Sequence, residues 1–248
     1  SSMTVLEAVN VLLTTIGEAP VNTLTGNQVT DVTIANQVLT EVSREVQAQG
    51  WHFNTEDKVV LSRNEFNFIV IPADVARIDT PDYNTVIRGD KLFNLDTRSY
   101  EFTTTVEASI VYYQDFLELP DVVKKYITTR AARIFSDRML NSETIHRMVS
   151  RDEQKALIDL KDFEGDTVLY GMAAFIRNIL VCKDKASAHL LESIEGWRDQ
   201  YLAAAEKIGT PYLVSALNIL NESEIQFKMA RNKRLHVELA LIKLNFLQ

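Results

Sequence analysis

The chain has 248 residues, of which 46% are apolar and 24% are charged, with only 8 glycines and 5 prolines. This is the composition of an ordinary globular protein, and it excludes collagen-like, low-complexity and wholly disordered chains. The formal net charge of −8 argues against broad wrapping of nucleic acid, because phosphate binding needs clustered lysine and arginine.

The distribution of charge indicates two units. Residues 1–162 contain 16 basic and 24 acidic side chains, whereas residues 163–248 contain 10 of each. A single cysteine, Cys182, excludes an internal disulfide and a multi-cysteine metal site. No apolar run reaches the roughly 20 residues of a membrane span, and no signal sequence opens the chain.

The chain is predicted to begin with two helices. In the first helix, apolar residues recur every three or four positions. Thr4 and Glu7 have the spacing of a capping box and mark its start, and Gly17 marks its end. The second has the same periodicity from near Thr30 and stops at Gly50.

From about residue 54, the repeat of apolar residues changes from 3.6 positions to 2, and a repeat of 2 is typical of strands. Five segments are rich in β-branched and aromatic residues, and a turn at Gly89 suits a hairpin between two of them. The predicted product is an antiparallel sheet of four to six strands, inserted at about residues 54–116. The predicted strands are 58–61, 66–71, 85–88, 91–95 and 106–113.

The remainder is predicted to be helical. Pro120 begins the first of these helices, and a charged helix over about 142–162 is predicted to be interrupted by Gly165. Further helices are predicted at about 166–182, 186–194, 196–208, 210–229 and 231–247. The last is predicted to be a buried bundle helix because of its apolar side chains, Leu235, Leu239, Leu241, Ile242, Leu244 and Leu247.

The fold class that follows is α+β and mostly helical. It comprises a helical bundle with a small inserted antiparallel sheet domain, followed by an all-α C-terminal bundle. The predicted domains are residues 3–162 and 163–248.

No residue pattern indicates catalysis. The histidines at 52, 146, 189 and 236 lie far apart and belong to no metal-binding motif, and no phosphate-binding loop or nucleophile elbow is present. The carboxylate pairs Asp152 with Glu153 and Asp31 with Glu41 have no companion nucleophile, and Cys182 fits a small packed side chain. We therefore predict no catalytic residue, no cofactor and no metal.

Basic clusters leave two interpretations open. They form either a solvated or ion-paired face, or a contact with a partner's acidic surface or with DNA in a pore. Lys125 and Arg138 belong to these clusters. The candidate interface or lumen residues are Lys124, Arg130, Arg133, Arg231, Lys233 and Arg234.

Three ordered stretches resemble tail tubular protein A of short-tailed phages. The stretch 6–24 resembles that family's opening, 46–54 its passage from helix to sheet, and 113–121 with 131–135 its return from sheet to helices. The resemblance covers about residues 3–162.

This resemblance implies a structural virion protein of the tail, made in the host cytoplasm, with no enzymatic activity. It implies a homo-oligomeric ring between the portal and the tail nozzle proteins, with DNA passing transiently through the lumen. The acidic net charge suits such a duct, since a basic wall would retain the genome. Gly17, Pro20 and Trp51 are then architectural residues: a helix stop, a turn and a core anchor.

A second resemblance covers residues 163–248. The stretches 171–184, 216–222 and 232–244 resemble the helical collar of the gamma/tau subunit of bacterial DNA polymerase III, without its ATPase module. Together with Ser1 and Ser2, which resemble the remnant of a tag, this implies a fusion of two proteins.

The sequence therefore leaves three functions open. The first is the phage adaptor ring fused to a clamp-loader fragment. The second is a cytoplasmic binding module that joins clamp-loader subunits through residues 163–248. The third is an enzyme such as a cell-wall hydrolase, which would need a cleft of paired carboxylates or of cysteine and histidine.

Overall fold

The computed structural model describes residues 2–26, 30–184, 198–227, 229–230 and 233–247. The chain divides into two compact units, Ser1–Ile158 and Asp159–Gln248. The fold is α+β and mostly helical, with small antiparallel sheets between helices and a helical C-terminal region, which confirms the predicted fold class. Within the described ranges, no helix has the length and apolar character that a membrane span requires.

The first two predicted helices are confirmed. Helix α1 spans Val5–Thr15, and its capping box forms as predicted: Glu7 N–H donates to Thr4 Oγ1 at 3.1 Å, and Thr4 N–H donates to Glu7 Oε2 at 2.7 Å. Gly17 follows with φ +83°, a left-handed conformation that glycine adopts at no steric cost. Helix α2 spans Thr30–Ala48.

Five strands form two antiparallel sheets. The first sheet has the order β1-β5-β2, and β3 with β4 forms a separate hairpin that turns at Gly89, as predicted. The strands are β1 (Thr55–Leu61), β2 (Val75–Asp79), β3 (Thr85–Arg88), β4 (Lys91–Asn94) and β5 (Val106–Tyr112). The core below them consists of Ile69, Ile71, Leu92, Phe102 and Val106.

The prediction of a strand over 66–71 is wrong. The backbone there makes isolated bridges, Phe68 to Glu101 and Val70 to Lys91. Asn67 adopts φ +61°, which breaks the extended conformation, and Asn64 Oδ1 accepts hydrogen bonds from the N–H groups of Phe66 and Phe68. A local asparagine turn therefore replaces the ladder.

Strand β2 was not predicted, because charged residues interrupt its apolar pattern. It pairs with β5 from Val75 opposite Tyr112 to Asp79 opposite Ser109, with an irregularity before Arg77. Pairing with a partner thirty or more residues away, rather than local periodicity, makes this segment a strand.

Helix α3 spans Asp121–Met139 and begins directly after Pro120, as predicted. It packs against both α1 and α2. Its buried apolar face consists of Val123, Tyr126, Ile127, Ala131, Ala132 and Phe135.

The predicted interruption at Gly165 is wrong, because one helix, α4, spans Glu143–Lys183. A Cβ built on Gly165 would lie 3.0 Å from the ring of Phe227 and 3.4 Å from Val237. Gly165 is therefore a point of close side-chain approach rather than a helix break.

Three shorter helices complete the second unit: α5 (Arg198–Lys207), α6 (Thr210–Phe227) and α7 (Lys233–Asn245). The helix predicted at 186–194 lies outside the described residues. The last helix, predicted to be a buried bundle helix, is buried on one face only. Ala240 and Leu244 are buried, but four of its large apolar residues are exposed: Leu235, Leu239, Leu241 and Ile242.

Candidate functional site

The two central basic residues of α3 both contact one carboxylate of α4. Arg130 and Arg133 lie one turn apart, and Glu153 is only 13% exposed at its side chain. Glu153 Oε1 accepts from Arg130 Nη1 at 3.2 Å and Arg133 Nη2 at 3.4 Å, while Oε2 accepts from Arg133 Nε. We call these three residues the ion-pair cluster.

Further ion pairs connect α3 to α2. Arg130 Nη2 lies 2.7 Å from Glu45 Oε1, so this guanidinium bridges two helices. Arg138 Nη1 lies 3.5 Å from Glu41 Oε2, in a more exposed pair. The arginines of α3 thus hold α2 and α4 against it, with little contribution from the exposed pair.

Both half-buried arginines are held in the charged form. The hydrogen bond to Glu153 raises the pKa of Arg133 and outweighs the opposing effect of burial. Burial by itself lowers the pKa of Arg130, but the hydrogen bond and charge of Glu45 raise it above its ordinary value. Burial raises the pKa of the neighbouring Tyr126, which keeps that phenol neutral.

Lys124 is nearly inaccessible, with 1% of its surface exposed. Its Nζ donates to Leu117 O at 2.8 Å and to Ser2 Oγ, and it lies 5.9 Å from the ring centroid of Phe116. The ammonium therefore has internal partners, as a buried charge requires.

The remaining basic candidates are at the start of α7. Arg231 lies outside the described residues, while Lys233 and Arg234 belong to the helix. The placement of the six candidates at a contact with a neighbouring copy or in a lumen stays a prediction.

In the part of the chain that the structure describes, several of the candidate catalytic groups have structural partners or are buried. Glu153 belongs to the ion-pair cluster, His146 Nδ1 lies 2.8 Å from Asp137 Oδ1, and Cys182 is buried. Among the described residues, no group of three or more histidine, cysteine or acidic side chains is arranged to hold a metal ion.

A buried amide network that the sequence analysis missed joins α2 to the sheet. We call Gln47, Asn54 and Gln114 the amide joint. Asn54 Nδ2 donates to Gln47 O and to Tyr112 O, both at 2.8 Å. Gln114 Nε2 donates to Phe53 O at 2.9 Å. These bonds bring the stretches 46–54 and 113–121 together.

A polar residue on the buried face of α2 was the available signal for this joint. Gln47 directly follows Val46 on the apolar face and is 2% exposed. A buried amide at such a position needs hydrogen-bond partners. Trp51, predicted as a core anchor, is half-buried; its Nε1 donates to Val46 O at 2.8 Å and its ring stacks on Phe53.

In the sheet region, one exposed phenylalanine ring is backed by a chain of less exposed aromatic rings. Phe66 is 62% exposed and contacts Phe68, which contacts Tyr100, which in turn packs edge-on against Phe93. The guanidinium of Arg88 lies 3.8 Å from the Phe93 ring centroid. We call these five residues the aromatic surface. Aromatic side chains and arginine are enriched in protein interfaces.

Comparison with known proteins gives one family. A family model described as Tube, tail tubular protein, matches residues 6–170, which confirms the phage tail tubular resemblance. No curated protein sequence matches the chain. Neither result supports a clamp-loader collar or a fusion, and the family match continues past residue 163, where the second segment was predicted to start.

Proposed function

The chain belongs to the tail tubular protein family, and we propose that its copies form a ring that joins the portal to the tail nozzle of a phage. The observation that carries this proposal is the family match over residues 6–170, which is 165 of the 248 residues. The protein acts by assembly and not by chemistry, as a structural component of the virion tail.

The first unit is suited to such a role because internal contacts fix its elements to one another. The ion-pair cluster ties α3 to α4, and the amide joint ties α2 to β1 and β5. A ring needs subunit surfaces at a fixed angle, since a small error at each interface accumulates around the circle. In this proposal Arg130 and Arg133 act by holding Glu153.

We place one contact between neighbouring copies at the aromatic surface. Phe66 offers an exposed ring that is continuous with the packed rings behind it, so its burial costs little side-chain entropy. The hairpin and the outer edge of β1 lie in the same sheet region and supply hydrogen-bonding groups for the rim.

The charge supports the passage of DNA. The net charge of −8 resides entirely in residues 1–162, where acidic side chains outnumber basic ones by 24 to 16. A lumen lined by such a unit repels the phosphate backbone and lets the genome pass without being retained.

The test is the mass and shape of the purified full-length chain. We expect light scattering to give a mass of many subunits and electron microscopy to show rings with an open centre. A chain that stays monomeric at every concentration measured, both alone and with the portal and nozzle proteins of its phage, would contradict the proposal.

A variant pair locates the contact. Phe66→Ser removes the exposed ring of the aromatic surface and is expected to lower the fraction of rings. Met148→Ser is the matched control, because Met148 on α4 is equally exposed, at 63% against 62% for Phe66, but lies outside that surface. Equal loss of rings in both variants would show that the contact is elsewhere.

A further inference from the structure

Helix α7 carries an exposed apolar stripe opposite the face that packs. Leu235, Leu239, Ile242 and Phe246 are 48%, 46%, 48% and 82% exposed, respectively. The core of the second unit is contacted instead by Val237, Ala240, Leu244 and Leu247. The helical register extends to the end of the stripe, because Phe246 N–H donates to Ile242 O at 3.3 Å. We call these four exposed residues the α7 stripe.

The α7 stripe has the spacing of a coiled-coil seam. Its successive members are four, three and four residues apart, which is the alternation of d and a positions in a heptad. The positions that flank such a seam are g and e, here Glu238 on one side and Lys243 on the other. A helix that only covered its own domain would need no second apolar seam facing solvent.

We propose that the α7 stripe docks in parallel against the α7 stripe of a second copy of this chain. In a parallel pair, a g residue faces the e residue five positions later on the partner helix. Glu238 and Lys243 are five positions apart and have opposite charge, so two copies place each acid beside the other copy's lysine. The seam is therefore self-complementary in the parallel orientation.

The rest of the second unit favours this docking. Residues 163–248 carry equal numbers of acidic and basic side chains, so two copies do not repel each other as the acidic first unit would. A free helix of thirteen residues would be marginal in water. Helix α7 is already held against α6 by Ala240 and Leu244, so pairing does not have to fold it.

This inference goes beyond the proposed ring, because α7 lies outside the residues that match the family model. The parallel pair has a twofold axis along the helices, so it joins copies in twos and is separate from the head-to-tail contacts that close a ring. It makes a separate claim about which surface is buried, and its failure would leave the contact through the aromatic surface intact.

Cysteine crosslinking tests the orientation directly. Leu235→Cys and Phe246→Cys mark the two ends of the stripe, and the natural Cys182 is buried. Under mild oxidation each variant alone is expected to form a disulfide-linked dimer, while the unaltered chain and Leu241→Cys do not. Leu241 is the matched control, because it lies on α7 away from the stripe and is also exposed. Crosslinks that form only when the 235 and 246 variants are mixed would overturn the parallel pairing.

Self-association measured by sedimentation tests the energetics. The double variant Leu239→Gln with Ile242→Gln is expected to weaken association through α7 at least about tenfold, because it removes two apolar side chains from the seam. Leu241→Gln is expected to change nothing. Glu238→Lys or Lys243→Glu alone is expected to weaken association, and the two together to restore it.

The outcomes separate this inference from the ring. To isolate α7, the same measurements are repeated in the Phe66→Ser background, with circular dichroism to verify folding. Loss of rings with Phe66→Ser but retained crosslinks at 235 and 246 would support the α7 docking alone. Intact rings in every stripe variant, with no crosslink at either position, would overturn the α7 docking and leave the ring.

Discussion

The side-chain amide of Gln47 forms two hydrogen bonds with the backbone of Gln114. Gln47 Nε2 donates to Gln114 O at 3.1 Å, and Gln114 N–H donates to Gln47 Oε1 at 2.7 Å. Gln47 is 2% exposed, so its amide forms hydrogen bonds with Gln114 instead of with water. The Gln47 side chain thereby satisfies the backbone N–H and C=O of Gln114, just after β5, as a neighbouring strand would. These two hydrogen bonds fix the sheet to α2.

Gln47→Leu is expected to destabilise the first unit by about 2 kcal/mol, because it leaves a half-buried backbone donor and acceptor of Gln114 without their Gln47 partners. The measurement is urea unfolding followed by circular dichroism. Gln37→Leu is the matched control: Gln37 is an exposed residue of α2 that bonds only Glu41 in the described contacts. We expect it to change the unfolding free energy by less than about 0.5 kcal/mol. Equal effects of the two variants would contradict a specific role for the joint.

Glu153→Gln is expected to lower the unfolding free energy by about 2 kcal/mol, because it leaves Arg130 and Arg133 partly buried with less counter-charge. The same urea titration measures it. Glu143→Gln serves as control, since Glu143 on α4 pairs with Arg147 while 94% exposed, and such pairs contribute little. If the Glu153 variant were as stable as the Glu143 variant, the ion-pair cluster would not hold α3 to α4.

Gly165→Ala and Gly171→Ala are expected to change the free energy of unfolding in opposite directions. Both glycines lie in α4, where alanine is the better helix former by about 1 kcal/mol. A Cβ at Gly171 has no atom within 4 Å, so that variant is expected to gain about 0.5–1 kcal/mol. A Cβ at Gly165 meets the Phe227 ring at 3.0 Å, and overpacking there is expected to cost about 1–2 kcal/mol. The hydrogen-exchange rates of the α6 backbone amides measure the change in stability of each variant. A gain at Gly165 would mean that the ring moves aside freely.

Stability is expected to fall at high pH through Tyr126. Burial raises the folded-state pKa of this phenol above its ordinary value of 10.0. Above about pH 10 the unfolded chain therefore releases a proton that the folded chain retains, and unfolding becomes more favourable as pH rises. Tyr126→Phe is expected to flatten this decline in unfolding experiments between pH 9 and pH 11. An unchanged slope would show that other groups cause it.

The local sequence determined much of the first unit. The capping box of Thr4 and Glu7, the ends of α1 and α2, the β3-β4 hairpin and the start of α3 at Pro120 all depend on contacts within a few residues. Short-range steric and hydrogen-bonding preferences are sufficient for such features. The stretches that carry the family resemblance lie in the same region, and the family match includes them.

Tertiary structure decided the remainder, because long-range partners set the outcome there. Strand β2 exists through its pairing with β5, and the close approach of the Phe227 ring accounts for a glycine at position 165 within α4. The arginines of α3 form a basic ridge in the sequence, but Glu153, twenty or more positions later, neutralises two of them. In α7, leucine density indicated a buried helix, whereas packing in a cluster with residues of α4 and α6 determined which face is buried and which is exposed. Periodicity gives the presence of an apolar face, but the identity of its partner depends on residues far away in the sequence or in another molecule.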